Sequence, residues 1–321
     1  GSHGGGTEEG QREVLAGYGI TEERLGVPVV TTVDTVYLGN CANGRPVWFD
    51  RAAYEADLIV PINRVKLHTD FVGPIQSGLC KMLVLGLGNH KGCSAVHEEA
   101  PEVFAGAIEE TARLILQKAP VGFGIAILEN AYDKTYAVEA VPAEHLVERE
   151  KELVQIAKGN MPYIMLDEAD VIVCGAIGKD ISGAGFDPNI LGRSSVLKQF
   201  VLHIPRYQRL VLCDVTPASH GNGIGVGLFD VITKKVAEQL DLESIYANAI
   251  ACNCLGDASV PCTVDDEETA IRVALKCCRN IDRDHPRIIR IQNTLHLGEI
   301  EVSEALLDAV RADSRMSLIE N

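Results

Sequence analysis

Short runs of β-branched and apolar residues alternate with longer amphipathic stretches along the whole chain, and this alternation most restricts its fold. Strands that alternate with helices pair mostly in parallel, and the helices cover the sheet faces. Residues 29–33 and 35–38 read as short strands, and residues 45–50 as another. Residues 57–63 (DLIVPIN) form a continuous apolar run, the pattern of a strand buried on both faces. Residues 101–118 are predicted helical, with Phe104, Ala107, Ile108, Ala112 and Ile115 at helical spacing. Residues 76–87 are apolar at a length that leaves helix or strand open. A strand over 121–129 and a charged, solvent-facing helix over 143–158 follow.

At 321 residues the chain is long for one core, and Gly159, Asn160, Met161 and Pro162 break the helical pattern near its middle. Two α/β domains are therefore expected, 1–160 and 161–321, each a mostly parallel sheet flanked by helices. The second half repeats the style, with strands over 169–174, 209–214 and 287–291 and helices over 230–240, 269–279 and 303–312. The last segment is left two options, its own domain or a return to the first.

Composition narrows the partners. Hydrophobic residues at 46% and charged residues at 23% are globular values, so disorder is excluded. A net charge of −16 argues against a nucleic-acid or anionic-membrane surface, which needs a basic field. A small anionic substrate stays open, because a few Lys and Arg side chains can hold one locally. No apolar run reaches the roughly 18–20 residues of a membrane span, and no signal-peptide pattern opens the chain. The ten cysteines lack paired CxxC motifs and read as reduced thiols, which gives a cytoplasmic expectation. Cys252, Cys254 and Cys262 are the one cluster that suggests an alternative, a non-catalytic metal or iron–sulfur binding protein.

The chemistry is expected in residues 61–97, directly after a strand, where the loops of parallel sheets carry ligands. Arg64, Lys66, His68, Asp70, Lys81, His90, Lys91 and His97 crowd there among Gly73, Gly78, Gly86, Gly88 and Gly92. Gly86-Leu87-Gly88 completes neither a Rossmann nor a Walker pattern. A second glycine-rich stretch, residues 178–193, carries Lys179, Asp187, Asn189 and Arg193. It is expected to face the first across a cleft between the domains.

The 61–97 segment resembles the lactate racemase family, whose members use a nickel-pincer nucleotide. The family signature is a His, a Gly-rich run with a Lys, and a His sixteen residues after the Lys, the interval from Lys81 to His97. The thirteen-residue interval from His68 to Lys81 is longer than in the better-known racemases. Gly1-Ser2-His3 fits the family's Gly-x-His element, and it also reads as the remnant of an affinity tag. Gly178-Lys179, Ser182-Gly183, Asp187-Pro188-Asn189, Gly192-Arg193, the stretch 219–223 and Asn293-Thr294-Leu295-His296 look like a branch without an assigned substrate. The family's upstream Asp-x-Thr-Arg-Pro element and its Tyr-Gln-x-x-Lys substrate element are not visible, so the chain is expected to begin part-way through the first domain and lactate is a poor substrate candidate.

The resemblance implies a 2-hydroxy acid racemase or epimerase, in which a hydride passes to the cofactor while a His takes the hydroxyl proton. Two His residues serve opposite faces, and His3 and His68 match them; an imidazole titrating near 6.5 suits the role. Lys81 would tether the cofactor through its amine, with Gly73 and Gly78 beside it, and His97 would ligate nickel. Arg64, Lys66, Lys179 or Arg193 would hold the substrate carboxylate. The other readings are a different metal-dependent isomerase on the same scaffold and the iron–sulfur protein above.

Overall fold

The structure is a computed structural model that describes residues 3–319, with the side chain of His3 outside the description. The chain divides into two compact α/β units, Gly1–Asn130 with Lys134–Asn160, and Ala131–Asp133 with Met161–Asn321.

The first unit holds two small sheets. Strands β1 (Thr35–Asn40) and β2 (Pro46–Asp50) pair antiparallel as a hairpin. Strands β3 (Ile62–Arg64), β4 (Phe123–Glu129) and β5 (Thr135–Pro142) form a sheet in that order, with β3 parallel and β5 antiparallel to β4. The sheet here is thus mixed, with parallel pairing between β3 and β4 and at the bridge of Ile59 with Val121. The run 57–63 is not buried on both faces: Leu58 is 56% and Ile62 55% exposed. Pro61 supplies no N–H and β3 lies at the sheet edge, where one face and one ladder stay open. Residues 29–33 form no strand. Val30 is exposed, and the Val29 N–H is taken by Glu22 instead of a neighbouring strand.

The second unit is built as the alternation dictates. β6 (Val171–Cys174), β7 (Arg209–Leu212), β8 (Val231–Thr233), β9 (Cys262–Val264), β10 (Ile288–Ile291) and β11 (Ile300–Val302) make one sheet in the order β11-β10-β6-β7-β8-β9. All neighbours are parallel except β10–β11. Successive residues of β6 feed opposite cores. Val171 and Val173 meet Ala270 and Ala274 of the Glu267–Lys276 helix, and Ile172 and Cys174 join Phe186, Leu306 and Val310 on the other face. The last segment, given two options by the sequence, builds this unit, because β10 hydrogen-bonds to β6 and Leu306 and Val310 enter its core. Residues 230–240 open as β8 and become helical only at Lys234–Gln239. No helix among the described residues is long and apolar enough to cross a membrane.

Candidate functional site

Of residues 76–87, those from Leu79 to Gly86 are helical, and Ser77 bridges to Lys66. Leu79–Lys81 is an α turn that runs into a π turn, Met82–Gly86, so the backbone widens immediately after Lys81. Such π turns recur where a side chain must be aimed. The turn packs against two helices, Phe104–Lys118 and Leu146–Asn160. A buried carboxylate holds its start: Glu150 Oε2 accepts the Cys80 N–H at 2.8 Å, with the Leu79 N–H acting on the same carboxylate. Glu150 is wholly buried, so the helix expected to face solvent has an inner stripe of Leu146, Val147, Glu150, Leu153, Val154 and Ala157. Burial raises its carboxyl to about 7, against the pull of the Cys80 and Leu79 N–H groups.

The two glycines expected beside the cofactor serve this packing. A Cβ on Gly78 would stand 2.6–2.8 Å from the Glu150 carboxylate, and one on Gly73 would meet Ala105 Cβ at 2.2 Å. Both lacks of a side chain are therefore accounted for by close approach within the chain.

Lys81 meets His68 at the centre of the site, with Nζ 2.6 Å from His68 Nε2. The protonation states follow from the neighbours. The Asp70 backbone N–H points at His68 Nδ1 at 3.1 Å, and an N–H only donates, so Nδ1 carries a lone pair. In the neutral ring the proton then sits on Nε2 and faces the Lys81 nitrogen, a pairing that favours the unprotonated form of the amine. The electrostatics agree. Burial, then the charges of Lys81, Lys66 and His97, hold His68 well below the usual imidazole value. Burial, with Lys66 adding to it and Asp70 opposing, brings Lys81 down to about 8. Gln76 fixes the stretch by accepting the His68 N–H at 2.7 Å.

His97 ends the helix Asn89–His97, which starts where Asn89 adopts φ +51° and donates to Asp50 Oδ2 and Thr32 O. Its Nδ1 lies 2.8 Å from the Cys93 carbonyl, one turn back, and 3.4 Å from Cys93 Sγ. A carbonyl only accepts, so Nδ1 carries a proton, and in the neutral ring Nε2 presents the lone pair. This is the arrangement in which metal-bound histidines are held. The Cys93 hydrogen bond raises His97, and His97 with Lys81 draws the Cys93 thiol down against its burial. Rings connect the two histidines: His68 stacks on Phe71 at 4.3 Å, Phe71 meets Phe104 at 4.9 Å, and Phe104 meets His97 at 5.1 Å. The site thus joins His68, Lys81 and His97 in the first unit. Lys66 lies close enough to depress both His68 and Lys81.

The remaining expected residues are placed differently. His3 begins the turn His3–Gly6, whose Gly4, Gly5 and Gly6 all adopt left-handed φ of +64° to +69°, open only to glycine in such a run. Gly6 lies against His90 in the helix that carries His97; the His3 side chain is outside the described residues. Arg64 is paired with Glu129 at 2.9 Å on the exposed edge of β3. In the second unit, Lys179 Nζ donates to Gly183 O at 2.6 Å. Arg193 bonds Leu228 O and Asp230 Oδ2, at 2.8 and 2.6 Å, and lies over Tyr207. Its guanidinium ties loops together there. Cys252 and Cys262 are exposed and Cys254 is buried. Among the described residues no three His, Cys, Asp or Glu side chains stand together as metal ligands. Two participants escaped the sequence reading. Cys93 was signalled by its i, i+4 relation to His97, and Glu150 by its place in an apolar helical stripe.

The chain matches no protein-family model and no curated protein. Among solved structures it is similar to the lactate racemase apoprotein from Thermoanaerobacterium thermosaccharolyticum, with 14% identity and a TM-score of 0.41 over 81% of this chain and 67% of that one. It is also similar to a protein from Thermotoga maritima, with 12% identity and a TM-score of 0.42 over 78% of this chain and 68% of that one.

Proposed function

We propose that the first unit carries the site of a lactate racemase-like 2-hydroxy acid racemase or epimerase. The observation that carries this reading is the 2.6 Å contact of the Lys81 amine with His68. The donor set fits the nickel-pincer nucleotide in two respects. Lys81 offers the unprotonated nitrogen that a covalent tether requires, and His97 offers an Nε2 lone pair fixed by Nδ1–H bonding to Cys93 O. When bound, the nucleotide supplies the hydride acceptor.

The chain's own residues supply the rest. His68 takes the hydroxyl proton of the substrate on one face, and His3 is the partner for the other. Consumption of the Lys81 amine removes one of the two lysine charges that hold His68 down, which moves the imidazole back toward the range of a working base. Lys66 pairs the substrate carboxylate, and Phe71 and Phe104 keep water from one side of the site.

The test is intact mass and metal content of protein made in cells that also make the cofactor. Lys81→Ala should carry neither adduct nor nickel, His97→Ala should lose nickel first, and His68→Ala should retain both while losing exchange of the C2 hydrogen. Equal nickel and adduct on Lys81→Ala and the parent chain would refute the reading.

A further inference from the structure

We infer that Lys81 is a carbonyl-capturing amine that, without nickel or nucleotide, condenses with a small 2-oxo acid to form an imine. The inference goes beyond the racemase reading, since it requires only this chain.

Three observations support it. The Asp70 N–H on His68 Nδ1 and the 2.6 Å His68–Lys81 contact favour the unprotonated form of the Lys81 amine, the form that attacks a carbonyl. The amine is half-buried, and a second ammonium, Lys66, acts on it, the combination that activates lysines for imine chemistry. Lys66 and His68 also stand two residues apart on an extended stretch, where Lys66 pairs with Ser77 through the backbone. Alternation then sends their side chains to one side. A carbonyl compound that reaches Lys81 therefore meets a cation beside it, which selects a carboxylate next to the carbonyl, the 2-oxo acid pattern.

The step balances without an oxidant or reductant. The Lys81 lone pair attacks the C2 carbonyl carbon, and one N–H proton passes to the former carbonyl oxygen. The carbinolamine then loses that hydroxyl with the second N–H proton as water, which leaves a C=N bond. At neutral pH an amine titrating at about 8 holds on the order of 100-fold more neutral form than an ordinary lysine at 10.5.

The experiment uses the purified chain with pyruvate and cyanoborohydride, read by intact mass and peptide mapping. One reduced adduct on Lys81, formed at least about 10-fold faster than on any other lysine, is the expected result, with a pH midpoint near 8. Lys81→Arg should form no fast adduct, and Lys66→Ala should slow capture of pyruvate more than capture of acetaldehyde. Adducts spread evenly over the lysines, or a midpoint near 10.5 in the parent chain, would overturn the inference even if Lys81→Arg does not fold. The two proposals fail separately. Capture without any nucleotide adduct in cofactor-producing cells sinks the racemase reading alone, and an adduct on a chain that captures nothing sinks this one alone.

Discussion

Glu150→Gln should flatten the pH dependence of the first unit's stability between pH 4.5 and 8. The native carboxyl lies at about 7 and an ordinary one at 4.5. A carboxyl raised on folding stabilises the native state fully below the lower value. That stability is lost as pH rises through the upper one, because the buried site must then hold a charge. At about 1.4 kcal/mol per pH unit between those values, the loss is about 3 kcal/mol. No screening discount applies, since the side chain is wholly buried. Gln keeps an oxygen for the Cys80 N–H and carries no charge, so the variant should match the parent near pH 4.5 and exceed it by up to about 3 kcal/mol at pH 8. The assay is urea denaturation followed by tryptophan fluorescence. Trp48 is the only tryptophan of the chain and sits on β2, so the signal reports the first unit. A parent–variant difference that stays constant from pH 4.5 to 8 would show that Glu150 does not titrate as its burial requires.

The other expectations are simpler. Lys66→Ala removes a cation that lowers Lys81, so the amine should titrate above about 8 and react more slowly at neutral pH, as the pH profile of its acylation would show. Asn89→Ala leaves an alanine at φ +51° and leaves Asp50 without its buried donor; a loss of about 2–3 kcal/mol is expected in the same fluorescence assay. Arg193→Ala breaks the bonds to Asp230 and Leu228 O in the second unit. It should lower melting stability by about 1–3 kcal/mol while leaving the reactivity of Lys81 unchanged, and slower acylation of Lys81 would contradict the structural role assigned to it.

What the sequence determined by itself was whatever short-range periodicity encodes. Three of the second unit's six strands, β6, β7 and β10, and the helix Glu267–Lys276 were legible because β6 is apolar at every position and the helix carries one apolar stripe, whereas the three-residue strands β8, β9 and β11 are too short to leave a period. The crowding of His68, Lys81 and His97 in one segment was legible too, as residue types and spacing. Tertiary structure decided what neighbours decide. Residues 29–33 have strand-forming composition, but a strand exists only where a partner takes its N–H groups, and Glu22 takes that of Val29; the run 57–63 pairs through Ile59 and β3, but at a sheet edge that leaves Leu58 and Ile62 exposed. Arg193 and Lys179 look alike as free cations in sequence; their anchoring to Asp230, Leu228 and Gly183 comes from loops brought together by folding. The lowered titration of Lys81 belongs to the same class. It depends on burial, on Lys66, and on one backbone N–H turning the His68 ring, and none of these is a property of a residue taken alone.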